Sequence, residues 1–184
     1  MNNFIEVYDN VLTLEQCNSI VDYINTCPNI ERGFIGRGVH ISIKDSWDIY
    51  NKFNDQTNVD RMINDALSQC VNDYKIKNPE LNTIGCWRLE NIYNLQKYLP
   101  GGGYPGPHCE STHKSDCNRV LVWMIYLNTV TDDGGTKFPQ YDLITDAVVG
   151  RVVIWPTSWT HFHHGVVSKT QRKYIATGWY SFVE

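Results

Sequence analysis

From residue 84 onward the chain alternates short runs of β-branched and aromatic residues with clusters of Gly, Pro, Asn and Asp. Few architectures accept that pattern. The runs are "CWRLENIYNLQKY", "RVLVWMIYLN", "GTKF", "AVVGRVVIWP", "THFHHGVVS" and "KYIATGWYSFV". Short strands at close spacing build an antiparallel sandwich or barrel, whereas a parallel α/β sheet needs a helical stretch between strands. "TDDGGTKF" and "AVVGRVV" read as turns feeding strands. The expectation for this half is a β core.

The first 80 residues have a different period. Thr13 is placed to cap a helix in which Leu14, Cys17, Ile20, Val21 and Ile24 form one stripe, with Glu15 in the first turn. A second helix is expected across "NVDRMINDALSQCVNDY", where Val59, Met62, Ile63, Ala66, Leu67, Cys70 and Val71 recur at helical spacing. Between them "GFIGRGVHISIKDSWDIY" is glycine-rich and then extended; it reads equally as a strand or a substrate-side loop, and whether 29–56 is a lid stays open. No repeat, linker or low-complexity tract divides the 184 residues. The reading is one domain, 1–184, with a helical N-terminal layer at 1–80 and a β core at 84–184.

Composition narrows the function classes. A net charge of -4 argues against a nucleic-acid footprint, which needs a basic surface. No run approaches the roughly 20 apolar residues of a membrane helix. The opening "MNNFIEVYDN" has no signal-peptide pattern, so the expected location is cytoplasmic, without membrane partners. Six cysteines lie scattered with no CxxC pair, which favours reduced, packed thiols over disulfides or cysteine-bound zinc.

The chemistry concentrates in two places. In "YPGPHCESTHK" an extended backbone puts His108 and Glu110 on one face and Cys109 on the other. About fifty residues later "WTHFHHG" carries His161, His163 and His164. One histidine from that cluster, added to His108 and Glu110, makes two imidazoles and a carboxylate. That set occupies one face of an iron(II) ion and leaves positions open for a cosubstrate and oxygen. Zinc would instead call for closed tetrahedral ligation or a further protein ligand. On "KYIATGWY" Lys173, Ile175, Thr177 and Trp179 share a strand face; Lys173 is then either a surface lysine or a buried ammonium in need of an anion.

In order along the chain, "LQKYLPGGGYPGPHCE", "RVLVWMIYLN", "DDGGTKFP", "VVGRVVIWP" and "THFHHGVVSKTQRKYIATGW" resemble the prolyl 4-hydroxylase-type Fe(II)/2-oxoglutarate dioxygenases, small viral and bacterial members especially. The resemblance covers residues 86–182, with a weaker echo in "FIEVYDNVLTLEQCNSIVDYI". It implies a double-stranded β-helix (jelly-roll) barrel, mainly β with N-terminal helices. The family pattern is His-x-Asp, a distal histidine, then a basic residue about ten positions on. It assigns His108, Glu110 and His163 as metal ligands and catalytic centre, with His161 as the rival to His163. Glu110 departs from the usual Asp by one methylene, which puts the metal geometry in question. Lys173 would pair with the distal carboxylate of 2-oxoglutarate, with Tyr98, Tyr126 and Thr177 as further cosubstrate contacts, and Arg119 and Trp179 would face substrate. The implied cofactors are Fe(II), 2-oxoglutarate and O2, with ascorbate as an added candidate. The implied partner is a proline-containing peptide or protein, and the location is the host cytoplasm if the source is a virus. Two rivals remain: the same chemistry on a free amino acid, small metabolite or nucleobase, and a cupin-like binding barrel that uses His161 and His163 together. The cupin reading leaves Lys173 and Trp179 without a task.

Overall fold

The structure, a computed structural model, describes residues 2–36, 38–53 and 57–183. Its strands and helices are β1 (Glu6–Tyr8), α1 (Leu14–Thr26), β2 (Glu31–Arg32), β3 (Trp47–Lys52), α2 (Asn58–Lys77), β4 (Trp87–Tyr98), β5 (Arg119–Tyr126), β6 (Thr136–Phe138), β7 (Leu143–Thr145), β8 (Val152–Pro156), β9 (His164–Gly165) and β10 (Lys173–Phe182). Short 3-10 turns lie at Pro79–Asn82, Pro139–Tyr141 and Trp159–His161.

A seven-stranded sheet runs β1-β8-β5-β10-β4-β3-β2, and a three-stranded sheet runs β7-β6-β9. Every strand pairing is antiparallel. The run "RVLVWMIY" shows why the central strands read as unbroken apolar stretches. Val122, Met124 and Tyr126 pack into a cluster with Phe138 of the small sheet, while Leu121, Trp123 and Ile125 pack into a second one with Ile20, Ile24 and Leu67 of the helices. Both faces of β5 are buried, so alternation of side chains leaves no polar face to see. The architecture is mainly β, with two helices covering the outer face of the large sheet: the double-stranded β-helix.

Thr13 caps α1 through a reciprocal pair, its side chain accepting from Gln16 N while its own N–H donates to the Gln16 side chain. Cys17, Ile20 and Ile24 are buried, but Leu14, at the first helical position, overshoots the sheet and stays 63% exposed. The N-terminal region is not the helical layer of the sequence reading, because it also contributes three strands. β1 pairs with β8 at one edge of the large sheet, and β3 pairs with β4 at the other, from Trp47 opposite Lys97 to Lys52 opposite Ile92. An edge offers unpaired backbone groups, and these segments satisfy them. Residues 29–56 thus hold both readings at once, two strands and an intervening loop whose Phe34–Gly36 stretch reaches the cavity described below. Arg37 and residues 54–56 of that segment lie outside the described residues.

Gly150 makes the turn into β8 with φ of +77°, and its carbonyl accepts from Val11 and Leu12 N–H. A Cβ there would lie 2.2 Å from the Leu12 carbonyl oxygen. Gly150→Ala is expected to cost about 2–4 kcal/mol, from the left-handed backbone plus the clash. The shift of the urea midpoint measures it. All six cysteines are free thiols. Among the described residues no helix is long and apolar enough to cross a membrane.

Candidate active site

His108 and His163 are brought together by backbone, not by side chains. His108 N–H donates to the His163 carbonyl at 3.0 Å and His163 N–H donates back at 2.8 Å, an isolated antiparallel bridge. Glu110 N–H donates to the Thr157 carbonyl at 3.0 Å, which ties the same loop to the end of β8. Each imidazole is then oriented from behind. Nδ1 of His108 lies 2.9 Å from the Gly106 carbonyl and Nδ1 of His163 lies 3.0 Å from the His161 carbonyl. A carbonyl only accepts, so each Nδ1 carries a proton and Nε2 is the ring atom left to face a metal. Both Nε2 atoms are 3.4 Å from the same oxygen, Glu110 Oε1. One donor atom from each of the three residues lies within 4.8 Å of the others. Two imidazole nitrogens and a carboxylate oxygen are a donor set suited to iron(II).

The surroundings hold that geometry. Tyr104 stacks on His108 with ring centroids 3.9 Å apart, and Trp155 meets His163 edge-on at 5.0 Å. Burial by itself would raise the Glu110 pKa. Hydrogen bonds and charge from His108 and His163, in the form that carries a proton on Nε2, outweigh it and hold the carboxyl well below the usual range; a metal would take that proton's place.

The three groups open on a cavity of about 380 Å3 between the sheets. Lys173, Ile175, Thr177 and Trp179 of β10 all line it, the face that strand alternation predicts. Two ammonium groups reach this space. Lys44 Nζ is neutralised by the fully buried Asp48 at 2.6 Å. Lys173 has no hydrogen-bond or ion-pair partner among the described residues, and its Nζ sits 4.8 Å over the Tyr98 ring. It is 6% exposed, and burial pushes its pKa down to about 8. An unpaired buried ammonium facing a cavity is a seat for an anion.

Residues 93–181 match the sequence profile of the 2OG-Fe(II) oxygenase superfamily. The chain carries a 2OG-Fe(II) oxygenase domain over those residues. It is accordingly a 2-oxoglutarate-dependent dioxygenase whose cofactors are Fe(II), 2-oxoglutarate and O2. No curated protein matches its sequence. Among solved structures the oxygenase is similar to a viral collagen prolyl hydroxylase from Paramecium bursaria Chlorella virus-1 in complex with 2OG. That match has 16% identity and a TM-score of 0.71 over 98% of this chain and 97% of that one. A Pseudomonas putida prolyl-4-hydroxylase matches at 16% identity and TM-score 0.73, over 98% and 94% of the two chains. A prolyl hydroxylase from Trichoplax adhaerens, in complex with a peptide fragment of the hypoxia inducible factor oxygen degradation domain, matches at 15% identity and TM-score 0.73, over 98% and 84%. These likenesses speak to the fold.

The oxygenase places the other sequence-predicted residues unevenly. Tyr98 lines the cavity, but its hydroxyl donates to Gln96 Oε1 at 2.6 Å. Thr177 also lines it, with its hydroxyl given to the Trp123 carbonyl at 2.9 Å. Tyr126 is not brought to the cavity: it is fully buried between the sheets, donating to Thr136 Oγ1 at 2.8 Å. Arg119 and Trp179, expected to face substrate, both line the cavity and also close on Glu110. Trp179 Nε1–H donates to Glu110 Oε2 at 3.0 Å, and the Arg119 guanidinium lies 3.7 Å over the indole.

His161, the rival to His163, is turned away from the other donors, because Trp159–His161 forms a 3-10 turn that rotates the two side chains apart. His161 Nε2 lies 2.8 Å from the Asn3 carbonyl. His161→Ala is expected to leave divalent-metal binding within about twofold of the parent, since no hydrogen bond links its ring to the three donors. A Co(II) titration checks this, and a metal-free variant would reinstate His161 as a ligand.

Sequence reasoning missed the polar wall behind Tyr98. Gln96 Nε2 reaches Asp48 Oδ2 at 3.4 Å, so Lys44, Asp48, Gln96 and Tyr98 form one chain of contacts. The four-residue spacing of Lys44 and Asp48 was visible, but their place opposite Gln96 depends on the pairing of β3 with β4.

Proposed function

We propose that this oxygenase hydroxylates a C–H bond of a prolyl residue in a peptide or protein, with His108, Glu110 and His163 holding Fe(II) and Lys173 binding the distal carboxylate of 2-oxoglutarate. One observation carries the reading. Two Nε2 atoms and one carboxylate oxygen converge at the wall of a cavity whose one ammonium without an anionic partner is Lys173, among the described residues. A metal chelated by a dicarboxylate needs that combination: neutral and anionic donors for the cation, and a cation for the far carboxylate.

Bound there, iron(II) would supply the oxidation in which O2 gives one oxygen atom to the substrate C–H bond and the other to succinate, as 2-oxoglutarate loses CO2. The chain's own groups bind, orient and shield. The Gly106 and His161 carbonyls fix which imidazole nitrogen faces the metal. Lys173 holds the cosubstrate in one direction, and its unpaired state means that binding relieves a desolvated charge. Val122, Met124, Trp155 and Ile175 make much of the remaining wall apolar and keep bulk water from the reacting centre.

A peptide substrate is supported by the named activities of the similar structures, which are prolyl hydroxylases from a virus, a bacterium and an animal, one of them holding a peptide. The test is a panel of proline-containing peptides, free amino acids, small metabolites and nucleobases. It is read by succinate formation and by a mass gain of one oxygen atom. Coupled turnover on peptides alone supports the reading. Turnover confined to a free amino acid or nucleobase keeps the chemistry and overturns the substrate. No succinate with any of them removes the oxygenase assignment of this site.

A further inference from the structure

Glu110 is held on both sides. Its Oε1 faces His108 and His163, each Nε2 at 3.4 Å, while its Oε2 accepts the Trp179 indole N–H at 3.0 Å and lies 3.7 Å from Arg119 Nη1. Arg119 is fastened in turn: its guanidinium covers the Trp179 ring at 3.7 Å, Nη1 donates to the Glu110 backbone carbonyl at 3.1 Å, and Nε faces Glu90 at 3.8 Å. Trp179 sits on β10 and Arg119 at the start of β5, strands paired in one sheet, so the clamp is built on rigid backbone.

A glutamate has one more side-chain torsion than an aspartate and more freedom to lose when fixed. A free carboxylate can also offer a metal either oxygen or both. Holding one oxygen from behind removes that choice.

We propose that Trp179 and Arg119 are positioning residues that present Glu110 to the metal through Oε1 alone, and that this clamp is matched to the length of a glutamate. The inference rests on the metal-centre reading given above. Trp179 acts as the donor, and Arg119 locks the indole in plane and adds positive charge beside Oε2. An aspartate at 110 is shorter by about one carbon–carbon bond, roughly 1.5 Å. It cannot reach the metal position and the indole together, so the clamp has nothing to grip.

The test titrates metal-free protein with Co(II), reading the dissociation constant and the visible d–d band, which follows coordination geometry. Trp179→Phe keeps a ring beneath Arg119 and deletes only the donor. It is expected to weaken Co(II) about 10- to 100-fold, the usual worth of an outer partner to a ligand, and to change the band. In a Glu110→Asp background the same substitution is expected to change neither by more than about twofold, because the contact is already gone. Arg119→Met, with the indole intact, is expected to weaken Co(II) about two- to fivefold, as a partly exposed ion pair would. Unchanged affinity and band in Trp179→Phe, or an equal loss in both backgrounds, overturns the clamp while the metal centre stands. If circular dichroism shows Trp179→Phe unfolded, Arg119→Met decides: a shifted band supports the clamp and an unshifted one overturns it. Parent protein that binds no Co(II), or binds it as well after His163→Ala, overturns the metal centre itself.

Discussion

His163→Ala is expected to lose divalent-metal binding and, with it, all detectable succinate formation. An outer partner of a metal ligand is worth about 10- to 100-fold in affinity, and a residue placed to donate directly should be worth more. The geometry makes the experiment clean. The bridge to His108 uses the backbone N–H and carbonyl of residue 163, and alanine keeps both. The ring is packed against Trp155 and Phe138, so its removal leaves a cavity and costs about 1–3 kcal/mol of fold stability. A thermal melt without metal measures that part separately. Added Co(II) should raise the melting temperature of the parent and not of the variant, because a ligand stabilises only the state that binds it. A variant that still gains stability from Co(II) would mean that the metal is held elsewhere.

The second large effect belongs to Lys173. Losing one partner of a buried, hydrogen-bonded charge pair costs about 2–5 kcal/mol, so Lys173→Met should raise the 2-oxoglutarate dissociation constant roughly 30- to 5,000-fold. Metal binding should be little changed. Without cosubstrate the variant should melt higher than the parent, since an unpaired buried ammonium is replaced by an apolar chain of similar length. Opposite effects on the empty and the loaded protein distinguish an anion seat from a packing residue. An unchanged cosubstrate requirement would count against Lys173.

The pH dependence has a definite sign. Burial lowers the Lys173 pKa from 10.5 to about 8, so the unfolded chain binds more protons than the folded one between those values. This group therefore penalises the empty fold fully below pH 8, and the penalty is relieved as pH rises toward 10.5. Affinity for 2-oxoglutarate should run the other way and decline above about pH 8, as the ammonium needed by the carboxylate is lost. Calorimetric titration at pH 7 and pH 9.5 gives the comparison.

What the sequence determined by itself was local or periodic. The capped stripe from Cys17 to Ile24 and the long one from Val59 to Val71 carry the period of a helix, and both stripes are buried against the large sheet. The alternation of Lys173, Ile175, Thr177 and Trp179 is set by the strand backbone, and all four meet the cavity. The order of motifs pointed to the oxygenase superfamily because each segment carries its pattern independently of the others.

Tertiary structure decided whatever depends on how distant segments meet. Nothing local in "WTHFHHG" says that a 3-10 turn sends His161 toward Asn3 while a two-bond bridge turns His163 toward His108. Tyr126 has the same strand phase as Met124, yet only Met124 meets the cavity, because the hydroxyl of Tyr126 is taken up by Thr136 of the other sheet. The "GFIGRGVHISIKDSWDIY" segment had no period strong enough to show β3, since that strand is selected by the free groups of β4 rather than by its own side chains. The contact of Trp179 with Glu110 spans 69 residues of chain, and the pairing of β10 with β5 is what brings Trp179 beside Arg119. Periodicity fixes which way a side chain points along its own element; what stands opposite depends on register, and register is set by the packing of the whole fold.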